Sequence, residues 1–192
     1  YDTLGKMIVL KSIAMLKNYD GVIIVKPTEP LNSNEAFILD QYIMNGGKTI
    51  WMVDPLMAEH DSMRKYSKAY FPDYNNEYMR SLLFNYGVRL NSNLLLDQRC
   101  NDNKHPIVKN LEAVWMRYCG TLKPISRKGL NVTNLLLSSD KTKIQEAPAY
   151  VDLSIVASNF DPKYLQSFKS GTQVTGVLLE GEFKSFFRRP DK

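Results

Sequence analysis

Between Gly21 and Pro55 the chain spells out a strand, a helix and a second strand, each with its own start and stop signal. No other feature narrows the possible folds as much. Val22 to Val25 is an unbroken run of β-branched residues, and Pro27 and Pro30 after it lack the N–H that a ladder requires, so the strand ends there. Asn32 and Ser33 are candidate N-caps, and Glu35 stands three positions after Asn32 in the capping-box relation. Ala36, Leu39 and Ile43 then recur at helical spacing, and Gly46-Gly47 supplies the left-handed positions at which helices end. Lys48 to Val53 is the second strand, stopped by Asp54-Pro55. A unit of this kind joins parallel strands through a right-handed crossover. The expected fold class is therefore α/β, a mainly parallel Rossmann- or flavodoxin-like sheet with helices on both faces and a β-rich second half.

The flanking sequence extends this plan. Leu4 to Asn18 is dense enough in apolar residues for a helix, with Lys6, Lys11 and Lys17 left for solvent. Ala58 to Asn76 is polar and tyrosine-rich and reads as a long connection, the kind that serves as a binding loop or lid. Met79, Leu82, Leu83 and Tyr86 follow at i, i+3, i+4, i+7 and stop at Gly87. Beyond Asn101, strands are expected at Leu111 to Cys119, Val132 to Leu137, Val151 to Ala157 and Val174 to Leu179, with a helix over Pro162 to Lys169 behind Asp161. One α/β domain over residues 1–192 is expected, with a βαβ core in 1–100 and, in 104–192, a continuation of the sheet or a subdomain.

Composition adds limits. The chain is 44% hydrophobic and 23% charged, which places it among ordinary globular proteins. No apolar run approaches the roughly 18 residues of a membrane span, and no leader opens the chain, so an export signal or anchor is expected outside it. The net charge of +5 lies wholly in the second half: residues 1–100 carry eleven basic and eleven acidic groups, the remainder fourteen and nine. Lys123, Arg127, Lys128, Lys141, Lys143, Lys184, Arg188 and Arg189 could favour an acidic partner or anionic lipid, or simply aid solubility. Cys100 and Cys119 are too few for a disulfide framework and leave bridged and free states both open.

Ligands of open α/β sheets bind beyond the carboxyl ends of the strands, so the candidate ligand or partner site comprises Lys26, Thr28, Glu29 and Asp54, with Glu59, His60 and Asp61 following. Lys26 and Asp54 can face one another across that edge. Glu59-His60-Asp61 has metal-ligand chemistry but the wrong geometry, because adjacent residues rarely enter one coordination sphere, and only His105 remains elsewhere. No metal and no cofactor is expected. There is no Gly-x-Ser-x-Gly elbow, and Gly46-Gly47 precedes a strand whereas phosphate-binding glycines follow one. Phe183 to Arg189 interleaves aromatic and basic residues, but an edge strand or packed terminus explains it more simply than nucleic acid does.

Four passages in order, YDGVIIVKPTEP (Tyr19 to Pro30), DQYIMNGGKTIWMVDP (Asp40 to Pro55), LLFNYGVRLN (Leu82 to Asn91) with LLLDQRC after it, and HPIVKNLEAV (His105 to Val114), together with GVLLEGEFKSFF (Gly176 to Phe187), resemble the gliding-motility-associated ABC transporter auxiliary family GldG of the Bacteroidota. The resemblance implies a membrane-anchored protein whose soluble part lies on the periplasmic or extracytoplasmic side. It implies permease and ATPase subunits as partners, with ATP chemistry left to the ATPase. A longer connection than Asn101 to Lys104 is expected in such a family. The βαβ unit also looks like the glutamine-amidotransferase-like α/β group, in which a catalytic Cys elbow follows the second strand. Asp54-Pro55 stands at that place, and a carboxylate before proline offers neither thiolate nor the following N–H of an oxyanion hole. A non-catalytic binding or assembly module is thus expected. The alternative is an amidotransferase-like or carbohydrate-active enzyme using Asp54, Glu59 or His60 as acid or base.

Overall fold

The computed structural model describes residues 3–57, 68–98, 106–108, 114, 116–152 and 162–187. Strands β1 (Val22–Val25) and β2 (Thr49–Met52) run parallel, Val22 opposite Thr49 and Val25 opposite Met52, with helix α2 (Ser33–Met44) between them in the chain. The capping box forms: the Asn32 side chain accepts from the N–H groups of Asn34 and Glu35, each at 3.0 Å, and the Asn32 N–H donates to Glu35 at 3.0 Å. Three of the orphan donors at this helix start, the N–H groups of Asn32, Asn34 and Glu35, are thereby satisfied by two side chains three positions apart.

Among the described residues, only one face of the β1–β2 pair is covered. Trp51 turns to the core, whereas Ile23, Val25, Ile50 and Met52 are each more than half exposed. Helix α1 (Thr3–Leu16) packs against α2 and leaves its own Leu10 and Met15 exposed. The expected parallel sheet with helices on both faces is represented, among the described residues, by this single parallel pair with one open face.

Helix α3 (Glu77–Tyr86) supplies the centre of the core. Buried Asn76 caps it, its Oδ1 accepting from Met79 N at 3.1 Å and from Leu31 N at 3.3 Å, so one side chain ties the exit of β1 to the start of α3. Met79 and Leu83 pack with Val88, Leu90 and Trp51, while Leu82 and Tyr86 meet Ala36, Ile43 and the aromatic segment Phe183, Phe186 and Phe187. Leu82 is fully buried, and its truncation to Ala is expected to cost about 2–5 kcal/mol. Asp40, also fully buried, accepts from Tyr86 Oη at 2.7 Å, Ser185 Oγ at 2.6 Å and Phe186 N at 2.8 Å, which pins residues 183–187 to α2 and α3. Residues 183–187 are thus packed against the core, with their rings turned inward, and Arg188 and Arg189 lie outside the described residues.

The α3 helix stops at Gly87, whose φ of 107° is left-handed, and a strand begins at once. The remaining strands are β3 (Lys68–Phe71), β4 (Val88–Leu90), β5 (Asn93–Asp97), β6 (Leu122–Pro124), β7 (Leu130–Leu137), β8 (Thr142–Glu146), β9 (Ala149–Asp152) and β10 (Val174–Gly181). They pair antiparallel as β4–β6, β5–β8, β3–β9 and β7–β10. Three of these ladders join a strand from the first half of the chain to one from the second.

Several segments differ from the sequence reading. Lys68–Phe71, inside the expected long connection, is strand β3, because Phe71 finds a buried place beside Ala149 on β9, which short-range pattern cannot reveal. Of the strand expected over Leu111 to Cys119, the described residues Val114 and Met116–Cys119 are irregular or turn, and Tyr118 takes a left-handed φ of 55°, which a strand does not admit. The helix behind Asp161 is a single turn, α4 (Pro162–Leu165).

Candidate functional site

At the carboxyl end of the parallel pair, Lys26 continues the ladder by one bond, its N–H donating to Met52 O at 2.7 Å. Its φ of 39° turns the chain sharply away from the strand, a conformation that costs a non-glycine residue energy. Lys26 Nζ lies 3.4 Å from Asp54 Oδ2, which brings together the two residues that the sequence placed across this edge. Burial pushes the Asp54 carboxyl up from its ordinary value, and the charge and hydrogen bond of Lys26 pull it partly back. The Lys26 side chain is 51% exposed, so the pair contributes at most about 1 kcal/mol. Thr28 and Glu29 stand exposed in the bend that follows. Glu59, His60 and Asp61 lie outside the described residues.

Behind Asp54 the chain is held firmly. Pro55 is buried, and its carbonyl accepts from Tyr74 N and from Arg80 Nη2, both at 3.1 Å. Gly120 presses on this turn: a Cβ there would stand 2.4 Å from Pro55 Cγ and 2.6 Å from Asn93 O, so only glycine fits. Its neighbour Cys119 carries a free thiol pushed up to about 11, by burial first and then by the negative charges of Asp54 and Asp97. The structure therefore brings a thiol into the electrostatic reach of Asp54, but from a distant segment and in a setting that keeps it protonated, the opposite of an activated nucleophile.

A concave surface lies elsewhere. A cleft of about 900 Å³ opens between α3, β4, β6 and β8, and none of Lys26, Thr28, Glu29 or Asp54 lines it. Arg80 forms part of its wall and is consumed internally: it pairs with Asp73 at 2.6 Å and donates to Ser92 Oγ at 2.7 Å and to the carbonyls of Pro55 and Tyr74. Among the described residues, Arg89, Lys123 and Arg127 line the same cleft, with Glu146 as its one carboxylate. Lys123 and Arg127 belong to the basic excess of the second half, but nothing in the sequence joins them to Arg89. The only local signal is the alternation Val88-Arg89-Leu90, which turns Arg89 outward between two buried neighbours. Among the described residues, no group of three or more His, Cys, Asp or Glu could hold a metal ion, and no helix is long and apolar enough to cross a membrane.

The model of the family described as an ABC-type uncharacterized transport system matches residues 6–102 and again residues 98–192. This chain belongs to that family. No curated protein and no solved structure matches it. Membership makes the chain an auxiliary component of an ABC-type transport system, in line with the resemblance at that level.

Proposed function

We propose that the chain is the non-catalytic, extracytoplasmic part of a GldG-type auxiliary component, anchored to the membrane by segments beyond it and working with a permease and an ATPase in gliding motility or export. Its work there is ligand binding or complex assembly. Family membership across both halves of the chain supports the transport-auxiliary part of this reading. Two chemical observations support the absence of catalysis: Asp54-Pro55 stands where a nucleophile elbow would be needed, and the thiol at Cys119 is held protonated near pH 7.

The test is purification of the full-length protein from its native membrane under mild detergent, with a tag on the chromosomal copy. Recovery with a permease and an ATPase is the expected result. Recovery as a lone soluble protein contradicts the reading. Amidase or glycosidase activity that disappears in Asp54→Asn would instead support the enzymatic alternative.

A further inference from the structure

We infer that the cleft between α3, β4, β6 and β8 is a binding site for a phosphate monoester carried on a polar skeleton, such as a phosphorylated sugar or the headgroup of a phosphomonoester lipid. The inference rests on the cleft alone and goes beyond the transport reading.

The first observation is a cross-strand pair. Arg89 on β4 lies directly opposite Lys123 on β6, both exposed on the same face of the antiparallel ladder. Like charges in this position repel and weaken a ladder unless something negative lies between them. Among the described residues neither is in an ion pair. The second observation is Arg127. Its guanidinium is held over the Phe84 ring, 5.4 Å from the centroid, and Nη2 donates to Phe84 O at 3.1 Å, while its buried Nε meets no acceptor among the described residues. A guanidinium fixed in this way is preorganised for an incoming oxyanion.

The charge count selects the ligand class. With Arg80 neutralised by Asp73, three cations among the described residues (Arg89, Lys123 and Arg127) face one carboxylate, Glu146. The surplus of two positive charges matches a phosphate monoester, which carries about −1.5 to −2 near pH 7. The volume of about 900 Å³ far exceeds a bare ion and lies at the upper end of small-molecule sites. Asn85 and Asn91 on the wall donate an amide N–H to Lys184 O and to Thr121 Oγ1, which leaves their amide oxygens as acceptors for hydroxyl groups.

The test titrates the purified chain with glucose 6-phosphate, with glucose, and with phosphatidylcholine vesicles with and without phosphatidic acid. The native chain is expected to bind glucose 6-phosphate, or phosphatidic acid vesicles, or both, and to ignore glucose and plain vesicles; the positive arm identifies a soluble or a lipid-borne source. Arg89→Ala/Lys123→Ala, whose parent side chains are exposed, should keep the native circular dichroism and weaken binding by at least about tenfold. Glu146→Gln should tighten it. No binding in either phosphate arm, or binding unchanged in the folded double variant, overturns the inference, as does weaker binding by Glu146→Gln.

Discussion

At the tips of β1 and β2 a cation meets an anion across two parallel strands, whereas on β4 and β6 a cation meets a cation across two antiparallel ones. Lys26 and Asp54 cancel one another, and deeper in the molecule Arg80 is answered by Asp73 and by backbone carbonyls. These charges are complete within the fold. Arg89 and Lys123 are not. Their repulsion costs a few tenths of a kcal/mol, which the burial of Val88 and Leu90 readily outweighs. The contrast shows why a charged strand tip is a poor guide to function here: the balanced pair stabilises its own turn, and the unbalanced one lines the cleft. Departures from local rules that packing sustains are characteristic of functional sites.

The balanced side is broken most severely by Arg80→Met. Loss of its bonds to Asp73, Ser92, Pro55 O and Tyr74 O should destabilise the chain by about 3 kcal/mol in urea denaturation. A loss below about 1 kcal/mol would mean that Arg80 is not consumed internally and belongs with the free cations of the cleft.

Asp54→Asn gives a smaller, pH-dependent effect. The folded chain holds the Asp54 carboxyl above its unfolded value, so in the window just above the ordinary carboxylate value it binds more protons than the unfolded chain. This group's contribution to stability therefore falls as pH rises through that window. The stability of Asp54→Asn relative to the native chain should accordingly improve between about pH 4 and about pH 7. A difference that stays flat with pH would show that Lys26 offsets the burial completely. Lys26→Met should cost less than about 1 kcal/mol and cost still less at high salt, because the lysine is half exposed.

Much of the βαβ unit is legible in the sequence because its signals are local. Asn32 with Glu35, Gly46-Gly47 and the prolines at 27, 30 and 55 each act within a few residues of themselves, and the spacing of Met79, Leu82, Leu83 and Tyr86 encodes the buried face of α3 directly. The Lys26–Asp54 pair is accessible for the same reason, since placing two parallel strands places their tips. Strands β3, β4, β6 and β8 are three to five residues long, and each gains its identity from a partner far away in the chain. No periodicity within Val88–Leu90 announces Leu122–Pro124 as its neighbour. The cleft is built from those pairings, so Arg89, Lys123 and Arg127 stay scattered in sequence until the fold assembles them.

The most direct measurement takes the smallest change in stability and reads it against ligand. Arg89→Glu sets a carboxylate opposite Lys123, so the variant alone should be more stable than the native chain by about 0.2–1 kcal/mol in urea. Whichever phosphate probe the native chain binds, glucose 6-phosphate or phosphatidic acid vesicles, should raise its midpoint and leave that of the variant unmoved. A variant less stable than the native chain, or one that still gains from the phosphate, would contradict the view that β4 and β6 hold their like charges apart for an anion.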